Sequence, residues 1–230
     1  MNDFVFPFHG ARLAARGSGA LWWAEAGLLV VSDLHLGKSA RMARRAGALL
    51  PPYDSRDTLA RLEAELDATG ARRVLCLGDS FDDLKAARGL EADMRDWLLR
   101  LSAGRDWIWI EGNHDPGPVD LPGTHLAALQ EGALSFRHIA TAVRGEISGH
   151  YHPKLRLPLR GSTLSRPCFL VDADRIILPA FGTYTGGLCT TDPALDGLML
   201  AEALAIVTGH SAQAVPMPRG RSTPRQRHHA

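Results

Sequence analysis

Four predicted strand segments of this chain, three of them apolar runs, each end in residues that commonly bind metal ions, and this pattern restricts the possible folds more than any other feature. The first segment, residues 28–31, leads directly into Asp33 and His35 in the motif DLHLG. Four apolar residues in a row, two of them β-branched, are typical of a strand buried on both faces of an α/β sheet. Ligands gather outside the carboxyl ends of such strands. Asp33 and His35, two positions apart on an extended chain, are therefore expected to point to the same side of one rim.

The other three segments repeat this arrangement. An Asp-x-His pair alone occurs by chance in many chains and is compatible with an ordinary turn after a strand. Four strand segments that all end in ligand-type residues instead predict a metal-binding rim. Residues 74–77 lead to Gly78-Asp79, residues 107–110 to Gly112-Asn113-His114-Asp115, and residues 145–148 to Gly149-His150-Tyr151-His152.

The motifs DLHLG, LGD, GNHD and GHYH, in this order, resemble the pattern of the calcineurin-like metallophosphoesterase superfamily. The resemblance implies an α/β fold, a four-layer αββα sandwich of two mixed sheets flanked by helices. It also implies phosphoester hydrolysis at two divalent metal ions with Asp79 as their bridge. The first metal would be held by Asp33, His35, Asp79 and His152, and the second by Asp79, Asn113, His138 and His150.

The family's lone histidine ligand lies in no tight motif, and two histidines fall between the third and fourth motifs. We expect His138 because it follows the strand-like residues 134–137. The alternative, His125, lies in a stretch rich in Pro and Gly.

The histidine beside the asparagine ligand has a catalytic role by resemblance. As an imidazolium, His114 would stabilise charge on the phosphoryl group and protonate the leaving oxygen. We expect Asp115, its acidic neighbour, to raise the pKa of His114. The nucleophile would be water activated by the two cations, because no Ser or Cys shows a His/Asp partner pattern.

A basic segment follows the first motif. Lys38, Arg41 and Arg45 share one face if residues 38–50 are helical, and no acid occurs from position 36 to 53. Such a stripe is typical of surfaces that bind the phosphates of a nucleic acid. An ordinary solvated helix face is the alternative.

A longer set of motifs, LWW, DLHLGK, LGD-x-F, GNHDP, GEISGHYHPK and FGTYTGG, is similar to the bacterial ligase-associated DNA damage response endonuclease family. The likeness runs from about residue 21 to residue 193. It implies a manganese-dependent phosphodiesterase that incises single-stranded DNA and acts in repair beside a DNA ligase, a helicase and a nuclease. Asp82 stands where we expect the family to favour His. If that position contacts substrate, activity or product ends differ here.

Two other functions stay open. One is a phosphoesterase for a small nucleotide substrate, and the other is an inactive scaffold that binds partner proteins. A scaffold is expected to have lost metal ligands, whereas every ligand position is filled in this chain.

The bulk properties favour one cytoplasmic domain. A chain of 230 residues fits a single core, and a formal net charge of +1 says little about partners. Three widely spaced cysteines without a C-x-x-C pair are typical of reduced thiols. We expect no signal peptide and no membrane-spanning helix. Residues 1–207 are expected to form the metallophosphoesterase domain and residues 208–230 a basic, disordered tail.

The local patterns also predict individual elements. Residues 21–25 and 28–32 should form a hairpin, and residues 172–174 should be the turn of another. Helices are expected at residues 38–50, 57–69, 90–101 and 193–207, and short strands near 134–139, 168–172 and 175–178.

Overall fold

The structure is a computed structural model that describes residues 3–46, 53–159 and 161–220, with only the backbone described at residues 44–46 and 158–159. Within these residues the chain forms two β-sheets and five helices.

The first sheet has seven strands that lie side by side in sequence order. The first four strands are antiparallel to their neighbours, and the fourth to the seventh run parallel. The strands are β1 Phe4–Phe8, β2 Ala11–Ala15, β3 Leu21–Trp23, β4 Leu28–Val31, β5 Arg73–Leu77, β6 Asp106–Ile110 and β7 Thr124–Leu126.

The second sheet has eight strands and is also mixed, because β9, β10 and β13 are parallel and all other pairs are antiparallel. The spatial order is β15-β14-β12-β13-β10-β9-β8, with β11 paired to β12. The strands are β8 Leu129–Glu131, β9 Leu134–Phe136, β10 Glu146–Ser148, β11 Lys154–Leu159, β12 Ser162–Val171, β13 Arg175–Ile177, β14 Leu204–Val207 and β15 Gln213–Pro216.

The helices follow the hydrophobic pattern of the sequence. In α2, Leu59, Leu62 and Leu66 are buried on one stripe. The helix ends where Gly70 adopts φ 63° and donates its N–H to Leu66 O at 2.8 Å. The helices are α1 Lys38–Ala46, α2 Asp54–Thr69, α3 Leu84–Arg88, α4 Ala92–Ser102 and α5 Pro193–Leu198.

Alternating side chains on the central strands form three hydrophobic layers, which confirms the predicted αββα sandwich. Val30 of β4 lies in the core between the two sheets. Its neighbour Leu29 points to the other face and packs in the cluster that includes Leu62 of α2. On the far side of the second sheet, Ile177 packs in a cluster with Leu195 of α5. Strands buried on both faces account for the unbroken apolar runs of the sequence.

Several predicted elements are confirmed. The β3–β4 hairpin and the β12–β13 hairpin are both antiparallel pairs. Helices α2 and α4 lie within a few residues of their predicted bounds. Helix α1 begins at Lys38 as expected, and the predicted continuation through residues 47–50 lies outside the described residues.

The prediction of a last helix over residues 193–207 is wrong beyond Leu198. Helix α5 ends there, and residues 204–207 form β14 instead, with Ala205 and Ile206 fully buried. The ten-residue, mainly apolar run at residues 198–207 does not by itself distinguish a helix from a strand. Pairing on both sides, with β12 and β15, decides the outcome.

The predicted disorder of residues 208–230 is also wrong for the part that the structure describes. Residues 213–216 form the edge strand β15, and Met217 is 5% exposed in the cluster around α5. Arg219 Nη1 donates to Met199 O at 3.1 Å. Residues 221–230 lie outside the described part of the chain.

In the described part of the chain, no helix combines the length and the apolar character that crossing a membrane requires. The cytoplasmic location stays a prediction.

Candidate metal centre

The loops that follow β4 and β5 are joined backbone to backbone. Asp33 N donates to Gly78 O at 3.2 Å, and His35 N donates to Asp79 O at 2.9 Å. The loop after β10 joins them, because the N–H of His150 donates to Asp33 Oδ2 at 3.0 Å. Motifs that are far apart in sequence therefore meet at one rim of the sandwich, as the sequence predicts.

The first group of ligand-type side chains consists of Asp33, His35 and His152, whose ligand atoms all lie within 4.8 Å of one another. Asp33 Oδ1 lies 2.9 Å from His152 Nε2. Asp33 Oδ1, His35 Nε2 and His152 Nε2 are nevertheless buried without a hydrogen-bond partner among the described residues. Buried polar atoms are normally paired, so three unpaired ligand atoms at one point fit a cation.

The second group consists of Asp79, His138 and His150. His138 Nε2 lies 3.3 Å from Asp79 Oδ2, 3.2 Å from His150 Nδ1 and 2.9 Å from Asn113 Oδ1. The other ring nitrogen, Nδ1, donates to Leu77 O at 2.9 Å. That bond orients the ring and directs Nε2 to the point where the four ligand atoms converge.

These donor sets fit two divalent cations. Each group combines a carboxylate with two imidazoles, and the second adds the amide oxygen of Asn113. This mixture suits transition-metal ions. Among the described residues, the Asp79 carboxylate is grouped with His138 and His150 and not with the ligands of the first group, and its Oδ1 atom accepts the N–H of His114 at 2.8 Å. Its role as the bridge between two metals therefore stays a prediction.

Five of the expected ligands have backbone conformations that L-residues rarely adopt. A positive φ in a residue other than glycine costs about 1–3 kcal/mol and persists where the surrounding structure enforces it. The hydrogen bonds between the loops supply that enforcement here. The φ angles are 54° at Asp33, 46° at His35, 46° at Asp79, 70° at His150 and 47° at His152.

Two glycines permit the close approach of these loops. A Cβ atom at Gly78 would lie 2.5 Å from the His138 ring, and one at Gly149 would lie 1.7 Å from Ser32 Oγ. Side chains at either position would push the ligands apart.

The electrostatics of the site hold its carboxylates ionised. Burial is the largest influence on Asp79 and would raise its pKa, but the hydrogen bond and charge of His138 and the contacts with His114 together outweigh burial and lower that pKa to about 2. The pKa of Asp33 is lowered as well, because its contacts with His152, His138 and Ser32 together outweigh burial. Burial would lower the pKa of His138, yet its partners Asp79 and Asp33 raise it to about 9. In the metal-free protein, a proton on His138 thus supplies part of the positive charge that the carboxylates require.

The Asp115 carboxylate contacts backbone amides, whereas the sequence led us to expect it to act on the His114 ring. Its Oδ1 atom accepts the N–H groups of Asp79 and Gly112 at 3.0 and 3.1 Å, and Oδ2 accepts that of Phe81 at 3.1 Å. Burial raises the pKa of Asp115 to about 6. The expectation that this carboxylate acts on the His114 ring is wrong, because backbone amides take up both of its oxygens. Asp115 instead joins the GNHD loop to the GD loop.

The His114 ring lies at the edge of the second group. Its Nδ1 atom lies 2.8 Å from Asp82 O, and its Nε2 atom lies 3.9 Å from Asp79 Oδ2. With 29% of the side chain exposed, the ring is open to a molecule above the metal centre. The role of His114 toward substrate stays a prediction.

Asp82, which the sequence analysis noted only as a departure from the family, is the partner of the basic segment. This fully buried carboxylate lies 2.9 Å from His35 Nδ1 and 3.7 Å from Lys38 Nζ, and it pairs with Arg41 Nε. These contacts outweigh burial and lower the pKa of Asp82 to about 2. The open basic stripe predicted for Lys38 and Arg41 is therefore wrong in part, because Asp82 neutralises much of their charge. The Arg45 side chain lies outside the described residues.

The structure brings His138, and not His125, to the metal centre. His125 lies on β7, where its ring stacks on Trp109 with centroids 6.3 Å apart. The preference for His138 agrees with this placement.

The FGTYTGG motif supplies parts of the site that the sequence analysis did not assign. Phe181 N donates to Ser32 O at 2.8 Å and Gly182 N donates to Asp33 O at 3.0 Å. A Cβ atom at Gly187 would lie 2.1 Å from His152 O. The motif therefore packs against both loops that carry the first group of ligands. Its place in the sequence, near the end of the segment that resembles the endonuclease family, gave no sign of this contact.

Comparisons with known proteins identify the family to which the chain belongs. The family model for calcineurin-like phosphoesterases matches residues 27–188. Among solved structures, the Pseudomonas putida nuclease MPE is 26% identical, with a TM-score of 0.73 over 93% of this chain and 100% of its own. The E. coli phosphoesterase Yfce is 14% identical, with a TM-score of 0.42 over 83% of this chain and 99% of its own. No curated protein sequence matches significantly. The chain belongs to the calcineurin-like phosphoesterase family, and it is a metal-dependent phosphoester hydrolase.

Proposed function

We propose that this hydrolase is a manganese-dependent endonuclease that incises single-stranded DNA in DNA repair. The observation that carries the proposal is the likeness to a nuclease over 93% of the chain, at 26% identity. Two of the three side-chain groups at this rim that could hold a metal ion, those that contain Asp33 and Asp79, would supply the chemistry that phosphodiester cleavage requires. The motifs GEISGHYHPK and FGTYTGG, which resemble the endonuclease family, both contribute to this rim.

The residues of each group have distinct tasks in this proposal. Asp33, His35 and His152 would hold one cation, Asn113, His138 and His150 would hold the other, and Asp79 is the ligand proposed for both. When bound, the two cations would polarise the phosphoryl oxygens and acidify the attacking water. The buried ring of His138 keeps its orientation through the bond to Leu77 O.

His114 provides the proton for the leaving group. Its Nδ1–H donates to Asp82 O at 2.8 Å, which fixes the ring and leaves Nε2 to carry the transferable proton. As the P–O bond breaks, this proton passes from Nε2 to the leaving deoxyribose oxygen. The ring is then neutral until it takes up a proton from solvent.

Manganese is the proposed metal because the resemblance to the endonuclease family implies it, and the ligand types disfavour magnesium. Four imidazoles, those of His35, His138, His150 and His152, are candidates for the two cations. Imidazole suits the softer first-row metals, whereas magnesium prefers oxygen ligands and water.

The decisive experiment is nicking of closed circular single-stranded DNA by purified protein with added manganese. We expect linear product with wild-type protein and none with Asp79→Asn, purified in parallel as the control against contaminating nucleases. Hydrolysis of small nucleotide diesters without nicking would instead establish the small-molecule phosphoesterase. Failure of both reactions would leave the scaffold hypothesis.

A role in repair beside a DNA ligase, a helicase and a nuclease is part of the same proposal. Disrupting the gene in its own host should increase sensitivity to DNA-damaging agents. Complementation with the wild-type gene should restore resistance, whereas the Asp79→Asn gene should not.

A further inference from the structure

The FGTYTGG motif forms a loop, residues 181–187, which we call the Tyr184 loop. Its beginning is attached to the DLH loop through Gly182 N and Asp33 O, 3.0 Å apart. Its end is followed by Leu188, whose N–H donates to Tyr151 O in the GHYH loop at 3.2 Å. Both attachment points lie within two residues of ligands of the first group, so the Tyr184 loop borders the metal centre.

The residues on either side of Tyr184 are held by side-chain contacts. Two hydrogen bonds fix Thr183 against α2. Its N–H donates to Thr58 Oγ1 at 3.1 Å, and its Oγ1 atom donates to Asp57 Oδ2 at 2.6 Å. On the other side, Lys154 Nζ donates to Thr185 O at 2.8 Å. The loop is therefore a fixed platform on α2 and β11.

Tyr184 itself differs from its neighbours. Its φ is 60°, and 44% of the residue is exposed, which makes it one of the few exposed large hydrophobic residues of the described chain. A tyrosine gains nothing intrinsic from a left-handed conformation, which costs about 1–3 kcal/mol. A strained turn that holds an aromatic ring in solvent beside a metal centre indicates a contact with a ligand.

The cleft beside this ring is positively charged. It has a volume of about 510 Å³, and its lining includes Tyr184, Lys154 and Arg166. Neither Lys154 nor Arg166 forms an ion pair with an acidic residue within the described ranges. Glu65, the acid in the lining, is already paired with the buried Arg16. The cleft therefore presents uncompensated positive charge next to an aromatic face.

We infer that the Tyr184 loop is a base-binding subsite, in which Tyr184 stacks on a base of single-stranded DNA while Lys154 and Arg166 bind neighbouring phosphates. Aromatic rings interleaved with cations are the means by which proteins bind single strands without sequence preference, because every base has a π-face. In a duplex, both faces of the base are already covered by its neighbours. The subsite thus favours single strands over duplex DNA. The inference rests on the proposed function.

The test compares three substitutions at one position. Tyr184→Phe keeps the ring, Tyr184→Gly removes it and relieves the left-handed conformation, and Tyr184→Ala removes it without that relief. Tyr53→Ala is the matched control, since Tyr53 is 64% exposed and contributes to neither the metal centre nor the cleft. Each protein is assayed for cleavage of a single-stranded oligonucleotide and for hydrolysis of bis(p-nitrophenyl) phosphate, with manganese.

We expect Tyr184→Ala and Tyr184→Gly to raise KM for the oligonucleotide about tenfold, within the range that loss of one base-stacking contact produces. Tyr184→Phe and Tyr53→Ala should match wild type, and all four should hydrolyse the small diester normally. Oligonucleotides with a single abasic position add a second readout. An abasic site at one particular position of the oligonucleotide should weaken cleavage by the wild type. The same abasic site should cause no further loss of cleavage by Tyr184→Gly.

The outcomes separate the two proposals. Equal KM values for Tyr184→Gly and wild type on DNA that wild type cleaves would overturn the subsite and leave the endonuclease intact. Loss of small-diester hydrolysis in Tyr184→Gly would also overturn it, because the loop would then support the metal centre only. If wild type neither binds nor cleaves single-stranded DNA, the endonuclease and the subsite both fall.

Discussion

The Nδ1 atom of His35 lies 2.9 Å from the Oδ1 atom of Asp82, and both side chains are almost completely buried. A carboxylate at the second nitrogen of a metal-binding imidazole orients the ring and raises its basicity. Asp82 is in turn balanced by Lys38 and Arg41. We therefore regard Asp82 as a positioning residue that acts on the first metal through His35.

Asp82→Asn is expected to lower the affinity of one of two manganese sites by about 10–100-fold, because partners of this kind have effects of that size. Calorimetric titration of the metal-free protein measures both sites. Asp120→Asn is the control, since Asp120 is 97% exposed and pairs with Arg95 at the surface. If the manganese affinity of both sites is unchanged in Asp82→Asn, the positioning role of Asp82 is contradicted.

The contacts of Asp82 also change what is expected of the basic segment. Lys38→Glu with Arg41→Glu should impair single-stranded DNA cleavage and small-diester hydrolysis to similar extents, because the new carboxylates repel Asp82 beside His35. Parallel rate measurements on both substrates check this. Weaker DNA cleavage with normal small-diester hydrolysis would instead restore the phosphate-binding role predicted from the sequence.

Part of the metal centre was predictable because two of its ligands come shortly after unbroken apolar runs. Asp33 follows β4 and Asp79 follows β5, so local sequence alone places both at one rim. The pairing of Arg41 with Asp82 joins residues 41 positions apart, and no local pattern encodes such a contact. Asp115 shows the same limit: its sequence neighbour is His114, but its partners are the backbone amides of another loop.

The second sheet was harder to predict than the first for a physical reason. Residues 204–207 are compatible with a helix or a buried strand, and only the neighbouring strands β12 and β15 decide between them. The strand β15 has only four residues and pairs with β14 at the edge of the sheet. Elements whose stability comes from distant partners leave a weak trace in local composition.

Asp115→Ala is expected to destabilise the protein by roughly 3 kcal/mol or more. The substitution leaves the N–H groups of Asp79, Gly112 and Phe81 without their acceptor, and each buried unsatisfied amide costs about 1–3 kcal/mol. Urea unfolding of the metal-free protein gives the free energy of unfolding. A change below about 1 kcal/mol would show that the loops do not depend on this carboxylate.

Asp79→Ala should reduce activity more than Asn113→Ala, because only Asp79 is proposed to contact both cations. Wild-type protein that is reconstituted with manganese and washed should retain two metal ions per chain by elemental analysis. Asn113→Ala should retain at least one. A wild-type content of one or none would contradict the dinuclear centre, and equal activity losses would contradict the bridging role of Asp79.

His114→Ala tests the proton donor through the leaving group. A deoxyribose alkoxide is strongly basic and needs a proton as it departs, whereas nitrophenolate leaves without one. General acid catalysis supplies about 10²–10⁴-fold, so DNA cleavage should fall by about that factor and hydrolysis of the nitrophenyl diester distinctly less. The ring contacts Asp82 O and approaches Asp79 Oδ2 only to 3.9 Å.

The same variant distinguishes the proton donor from a purely electrostatic role. An imidazolium that only stabilises charge on the phosphoryl oxygens would matter equally for both substrates. Equal fold-losses would therefore exclude the acid role. Metal content, measured beside the rates, should match wild type because Asn113, and not His114, is the expected ligand. Loss of bound manganese in His114→Ala would assign the residue to the metal centre itself and contradict both catalytic roles.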